Sequence, residues 1–257
     1  MLAGCSGSPA TFGTTQALPQ TSGGTPVGRA ACPGARGGDA RCFALIQSKS
    51  GIAPTIAGWA PADFQARYKL PSSTQGAGQI VAIVAAYDNP NVATDLAAYR
   101  SQFGLPTSTF TKYNQAGQMK NYPAGNAGWG VEIDLDVEMG SATCPLCTIY
   151  LVEANSSKSK DLAAAEVEAV KLGANIVSNS WGCTGSTTCV DRKDFDHTGV
   201  TYLAASGDGG SGEVGLPAAL DGVVAVGATV LTKTGSQYTE QIYEISGGGC
   251  ATGIKKP

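Results

Sequence analysis

Short β-branched apolar runs alternate along this chain with amphipathic stretches. Residues 79–85, 148–152, 175–178, 200–204 and 222–226 are rich in Val, Ile, Leu and Ala, the pattern of strands buried on both faces. Between them, residues 95–103 read as a helix stopped by Gly104-Leu105-Pro106, and residues 160–172 as a helix ended by Gly173. Residues 191–198 read as a third helix before Gly199, and residues 59–65 as a short helical start. Strands alternating with helices predict an α/β fold, a parallel sheet with helices on both faces. In such sheets functional residues gather where strands end and loops begin.

Residues 129–139 carry two patterns at once. Val131, Ile133, Leu135, Val137 and Met139 alternate with polar positions, which predicts a strand. That strand would line Glu132, Asp134, Asp136 and Glu138 along one face with no basic residue among them. As a helix, the same stretch puts Glu132 and Asp136 one turn apart on one face, with Leu135 and Met139 as an adjacent apolar stripe. Periodicity alone favours the strand.

Composition narrows the classes. Of the 257 residues only 14% are charged, the net charge is -3, and no run of Lys or Arg appears. A nucleic-acid partner is excluded, because phosphate binding needs clustered positive charge. No apolar run is long enough to span a bilayer. Residues 6–30 are rich in Gly, Ser, Thr and Pro and read as a tether. The chain therefore divides into an N-terminal segment, 1–55, with a small Cys32–Cys42 loop, and a domain over 56–257.

Eight cysteines are many for a reducing compartment. Cys32 with Cys42, Cys144 with Cys147 and Cys183 with Cys189 are spaced for three small disulfide loops. A zinc site from Cys144, Cys147, Cys183 and Cys189, or a redox Cys-x-x-Cys at 144–147, fits the same spacing. Met1-Leu2-Ala3-Gly4-Cys5 resembles a bacterial lipobox without the charged and apolar regions that precede one, so a lipid anchor at Cys5 stays open. Cys250 has no local partner, and its disulfide is expected to reach beyond this sequence.

Three stretches in order resemble the sedolisin family of serine-carboxyl peptidases, relatives of the subtilisins. They are Glu132-x-x-x-Asp136 with Val137-Glu138, then Ser178-Asn179-Ser180-Trp181-Gly182, then Ser206-Gly207-Asp208-Gly209-Gly210 with Leu216-Pro217-Ala218-Ala219 behind it. The run from Tyr68-Lys69-Leu70-Pro71 through Ala86-Tyr87-Asp88-Asn89-Pro90 to Phe103-Gly104-Leu105-Pro106 is similar to secreted bacterial members. The resemblance covers roughly residues 56–257.

It implies a subtilisin-like sheet, incomplete at the C-terminus, and a helix for the segment carrying the acids. Glu132 would be the general base, Asp136 its orienting partner and Asp208 the acid of the oxyanion hole. Trp181 would pack beside these acids and Asp88 would support them. The chemistry suits acid: a carboxylate is a usable base where histidine is protonated, and paired acids share a proton. Asp208 must be protonated to donate to an oxyanion.

The family's nucleophile is a serine in Gly-Thr-Ser, followed by a calcium loop. No Gly-Thr-Ser occurs in this sequence, and the resemblance places Ser246 in a substrate-lining loop instead. The expectation is a secreted or cell-surface endopeptidase fragment acting on peptides or proteins. It is expected to be monomeric, inactive alone, and without metal or other cofactor of its own. The alternative is a non-catalytic peptide-binding or cell-surface protein on the same scaffold. A histidine-based triad is excluded by the isolated position of the single histidine, His197. Gly207-x-Gly209-x-x-Gly212 matches a dinucleotide fingerprint, but Leu216-Pro217 follows where a helix would have to open.

Overall fold

A computed structural model describes residues 29–32, 34, 39–46, 58–184, 188–212 and 215–250. In chain order its elements begin with three short strands, β1 (Arg29–Ala30), β2 (Arg41–Cys42) and β3 (Leu45–Ile46). Helix α1 (Pro61–Arg67), strand β4 (Ile80–Ala86), helix α2 (Val92–Phe103) and strand β5 (Phe110–Asn114) follow. Helix α3 (Ala127–Thr143), strand β6 (Thr148–Ala154), helix α4 (Ser159–Lys171) and strand β7 (Ile176–Asn179) come next. The remainder is β8 (Trp181–Thr184), a 3-10 turn (Arg192–Phe195), β9 (Thr201–Ala205), β10 (Gly215–Leu216), β11 (Val223–Val226), β12 (Thr229–Thr234) and β13 (Gln237–Ile242).

Six strands form one sheet in the order β11-β9-β7-β4-β6-β5, every pair parallel. Parallel neighbours need crossovers, and the amphipathic stretches between strands supply them. α3 covers one face, where Gly140 lies against Ile83 and Ile149. The turn after α4 covers the other, with Gly173 against Ile80. Ile80 and Ile83 point oppositely because side chains alternate along a strand. Ile83, Ile149, Leu151, Val152 and Leu162 are fully buried in the resulting core.

The structure overturns the strand that alternation favours at 129–139. Asn126 caps α3 by accepting the amides of Gly128 and Trp129 at 3.0 and 3.1 Å. The stripe that packs is Trp129, Ile133 and Val137, spaced four apart, whereas Val131 and Leu135 of the alternating set are exposed. The residues at 191–198 form only a 3-10 turn, because Phe195 is the one apolar residue there that buries and charged neighbours supply no stripe.

All three local cysteine pairs are disulfides: Cys32–Cys42, Cys144–Cys147 and Cys183–Cys189. The zinc and redox readings of the same spacings fall away. Cys250 is disulfide-bonded as well, contrary to the expectation that its partner lies beyond the chain. Cys5 falls outside the described residues. No helix among the described residues is long and apolar enough to cross a membrane.

Glu166 of α4 is fully buried; neither carboxyl oxygen makes a well-formed hydrogen bond, and the nearby Asn179 side chain only partly offsets the burial. Burial raises its pKa well above the carboxylate range. Glu166→Gln keeps the shape and removes the titration. It is expected to change stability by less than about 1 kcal/mol at pH 4 and to stabilise at pH 8, where unfolded wild type gains by ionising. Urea unfolding at both pH values tests this, and a variant destabilised equally at each would contradict it.

Candidate active site

The C-terminal ends of β7, β9 and β11 open into a cavity of about 370 Å³ walled on its other side by α3. Glu132, Asp136 and Asp208 all line it. Each arrives by a different local rule. Glu132 and Asp136 share one face of α3 because they are four residues apart. Asp208 sits in the glycine-rich turn after β9, whose path the Ser246-Gly247-Gly248-Gly249 segment holds. Ser206 Oγ donates to the Gly247 carbonyl at 2.7 Å, the Gly247 amide donates to Gly207 O at 2.6 Å, and the Gly212 amide donates to Gly248 O at 2.7 Å. A Cβ at Gly247 would collide with the Ser206 carbonyl, so this close approach requires glycine.

Glu132 is 2% exposed. Burial is the main cause that pushes its pKa up, to about 9, and the neighbouring Asp136 charge adds to it. The amide of Ala44 donates to Glu132 Oε2 at 2.5 Å and, with that of Phe43, pulls the other way. Asp136 is raised by burial too, against the pull of Ser180 Oγ, which donates to its Oδ1 at 2.6 Å. The two carboxyls titrate as a pair, and like charges one helical turn apart favour keeping one proton between them.

Trp181 starts β8 and is fully buried, its ring 6.3 Å from that of Phe195. Asp88 lies outside the cavity. It pairs with Lys112 Nζ at 2.5 Å, and Lys112 is also 3.8 Å from Glu153 Oε1. Asn89 joins that cluster to α3 by donating to Asp134 Oδ1 at 2.7 Å, on the side of the helix away from Glu132. His197 Nδ1 is 2.7 Å from the Tyr202 hydroxyl and has no part in the cavity.

Three participants escaped the sequence reading. Ser180 was legible only as part of Ser-Asn-Ser-Trp-Gly, not as a donor to Asp136. Phe43 and Ala44, nearly ninety positions before their partner, carry no local signal for the contact with Glu132. Among the described residues no cluster of His, Cys, Asp or Glu is arranged to hold a metal. The calcium implied by the resemblance belongs to a loop that follows the family's nucleophile, and these residues do not form it.

Comparison with known proteins sets this geometry in a family. Residues 115–253 match the model of the subtilase family. Over 224 residues the chain is 31% identical to kumamolisin from Bacillus sp. (strain MN-32), covering 78% of this chain and 39% of that protein. Among solved structures, Pseudomonas sedolisin, a serine-carboxyl proteinase complexed with two molecules of pseudo-iodotyrostatin, superposes with a TM-score of 0.64 at 21% identity. That match covers 79% of this chain and 66% of the sedolisin chain, and it supports the fold. The chain thus spans well under half the length of the kumamolisin it matches.

Proposed function

This chain belongs to the subtilase family, within its serine-carboxyl peptidase relatives, and from that footing we propose that it carries the acid half of an endopeptidase centre working at low pH. The observation that carries the reading is the Glu132–Asp136 pair on one face of α3, Glu132 buried and Asp136 half-buried, sharing a cavity with Asp208. Glu132 is the base only in the form of the pair that has given up its proton: its carboxylate then takes the proton of a serine hydroxyl as that oxygen attacks a peptide carbonyl, and returns it to the departing amine. Asp136 shares the proton with Glu132 and steadies it, with Ser180 fixing the Asp136 rotamer. Asp208, protonated, donates to the oxyanion formed in the attack. Trp181 is a packing residue beneath the acids, and Asp88 a supporting one at a distance.

The serine itself is not supplied in Gly-Thr-Ser form by these 257 residues. Ser180 is engaged with Asp136, and Ser246 Oγ accepts the Ala228 amide at 2.8 Å. A purified chain of these residues is therefore expected to leave peptides intact at pH 4. Hydrolysis that Glu132→Gln removes would overturn that expectation. The disulfides favour an extracellular or cell-surface setting.

Carboxyl-labelled NMR tests the acid pair directly. Glu132 is expected to titrate above pH 7, and Asp136→Asn to lower its midpoint by removing the like charge. Both carboxyls titrating independently near pH 4 would sink the reading.

A further inference from the structure

An amine and two carboxyls meet on the half of the sheet away from the acid cavity. Asp88 follows β4, Glu153 lies in β6 and Lys112 in β5, and these three strands are neighbours in the order β4-β6-β5. Lys112 Nζ touches Asp88 Oδ1 at 2.5 Å and lies 3.8 Å from Glu153 Oε1. The Tyr122 ring covers the ammonium, its centre 4.2 Å away, and Asn89 O accepts from it at 3.0 Å. The Lys112 and Asp88 side chains are each 14% exposed, and that of Glu153 is fully buried. Glu153 Oε1 accepts the Asn89 amide at 3.1 Å, whereas Oε2 makes no well-formed hydrogen bond. Burial pushes the Glu153 pKa to about 8; the Asn89 amide and Lys112 pull it down, while the charge of Asp88 and a hydrogen bond to it act with burial. At neutral pH Glu153 therefore keeps its proton in most molecules, within reach of the Asp88 carboxyl.

A strained turn delivers Asp88 to this place. Tyr87 has a φ of 65°, a conformation uncommon for a bulky residue. Its amide donates to Ala154 O at 2.9 Å and its ring packs on that of Trp129, centres 6.3 Å apart, so its surroundings impose the turn. The Asp88 amide donates to Ala124 O at 3.2 Å, and its carbonyl accepts the Asn126 amide at 3.4 Å. An ion pair needs neither a strained turn nor a buried neutral acid beside it. An amine and an acid held in fixed contact react as parts of one molecule, at effective concentrations that reach about 10⁵–10⁸ M.

We propose that Asp88 and Lys112 are the reacting pair of an intramolecular amide cross-link, with Glu153 moving the protons. The ion pair is the unreacted state. A proton passes along the 2.5 Å contact from the ammonium to the carboxylate, leaving an amine and an acid. Nζ then attacks Asp88 Cγ and the C–N bond forms. Glu153 takes a proton from Nζ on one oxygen and gives its own to the departing hydroxyl, so the C–O bond breaks and one water leaves. Glu153 ends as it began, nothing is oxidised or reduced, and no co-reactant is needed. The product ties the turn after β4 to the edge strand β5 across β6. Unlike the three disulfides it resists reductants, and it does not depend on the acid-centre reading.

Intact mass of the full chain with its disulfides formed tests this. After several days at pH 7 most molecules are expected to weigh one water less than the sequence and its disulfides require. After reduction and alkylation, trypsin is expected to cut at Lys69, Arg100 and Lys120 but not at Lys112, leaving residues 70–100 and 101–120 joined through Asp88 and Lys112. Asp88→Ala is expected to keep its full mass. Glu153→Gln is expected to slow the conversion about a hundredfold or more, the usual effect of losing a placed proton carrier. Full mass in the wild type overturns the proposal. So does a lost water confined to residues 70–100 with normal cleavage at Lys112, which is Asp88 closing a ring on the backbone instead. Conversion at the wild-type rate in Glu153→Gln, folded by circular dichroism, overturns the part given to Glu153.

Discussion

Lys112→Met is expected to destabilise the protein by about 3 kcal/mol or more at pH 7, the cost of leaving the largely buried Asp88 carboxylate without its cation. Lys112 Nζ is the positive charge between Asp88, at 2.5 Å, and the fully buried Glu153, at 3.8 Å. It also donates to Asn89 O at 3.0 Å and sits 4.2 Å from the Tyr122 ring centre. Methionine keeps most of the stem and removes all of these polar contacts. Burial already raises Glu153 to about 8, against the pull of the Asn89 amide and Lys112. Without the lysine it is held neutral further still, while Asp88 keeps a desolvated charge. The penalty is expected to shrink at pH 4, where Glu153 is protonated and no longer draws on the lysine. For a chain of this size the loss at pH 7 corresponds to a melting temperature lower by about 10 °C. Melts at pH 4 and pH 7 check this, and an equal loss at both would assign the effect to packing.

Stability as a whole is expected to fall as pH rises from 5 to 8. An unfolded glutamate titrates near 4.5, whereas folded Glu132 holds its proton to about 9. Across that window the folded state binds more protons than the unfolded one, so each added pH unit favours unfolding. Glu132's contribution is complete below 4.5 and is lost as the pH climbs toward 9. Each such proton gives a slope of at most about 1.4 kcal/mol per pH unit. Glu153, Glu166 and Asp136 are raised by burial as well and act in the same direction. A fall of about 3 kcal/mol or more between pH 5 and pH 8 is expected in urea unfolding. Glu132→Gln is expected to flatten the slope by about one proton. Stability that is level or rising over this range would contradict the burial of these acids.

Both expectations concern charges inside the fold, and there the sequence is least informative. Runs such as Ile80-Val81-Ala82-Ile83-Val84 announce their strands because burial on both faces demands apolar residues at every position. The helix after Ser159 is announced by its own stripe and its terminal glycine. The close cysteine pairs are announced by short spacing, because a nearby partner needs no knowledge of the fold. At 129–139, by contrast, two periods coexist, and only the cap at Asn126 and the packing of Trp129, Ile133 and Val137 on the sheet select the helix. Alternation records which residues are apolar; it does not record which of them meets a neighbour.

The candidate site divides along the same line. Glu132 and Asp136 are related by helix geometry and Asp208 by its glycine turn, so motif order was enough to nominate them. What surrounds them was not legible. Asp88, next to the sheet in sequence, faces Lys112 and Glu153 instead of the cavity. Ala44 comes from 88 residues away to donate to Glu132. By itself, then, the sequence determined five of the six strands of the parallel sheet, missing β5, and the local disulfides, and it nominated the acids, because each depends on neighbours along the chain. The tertiary structure decided the helix that presents the acids, the burial that raises them and the segment lying across them. Those depend on contacts between distant residues, where desolvation and close packing set the energy.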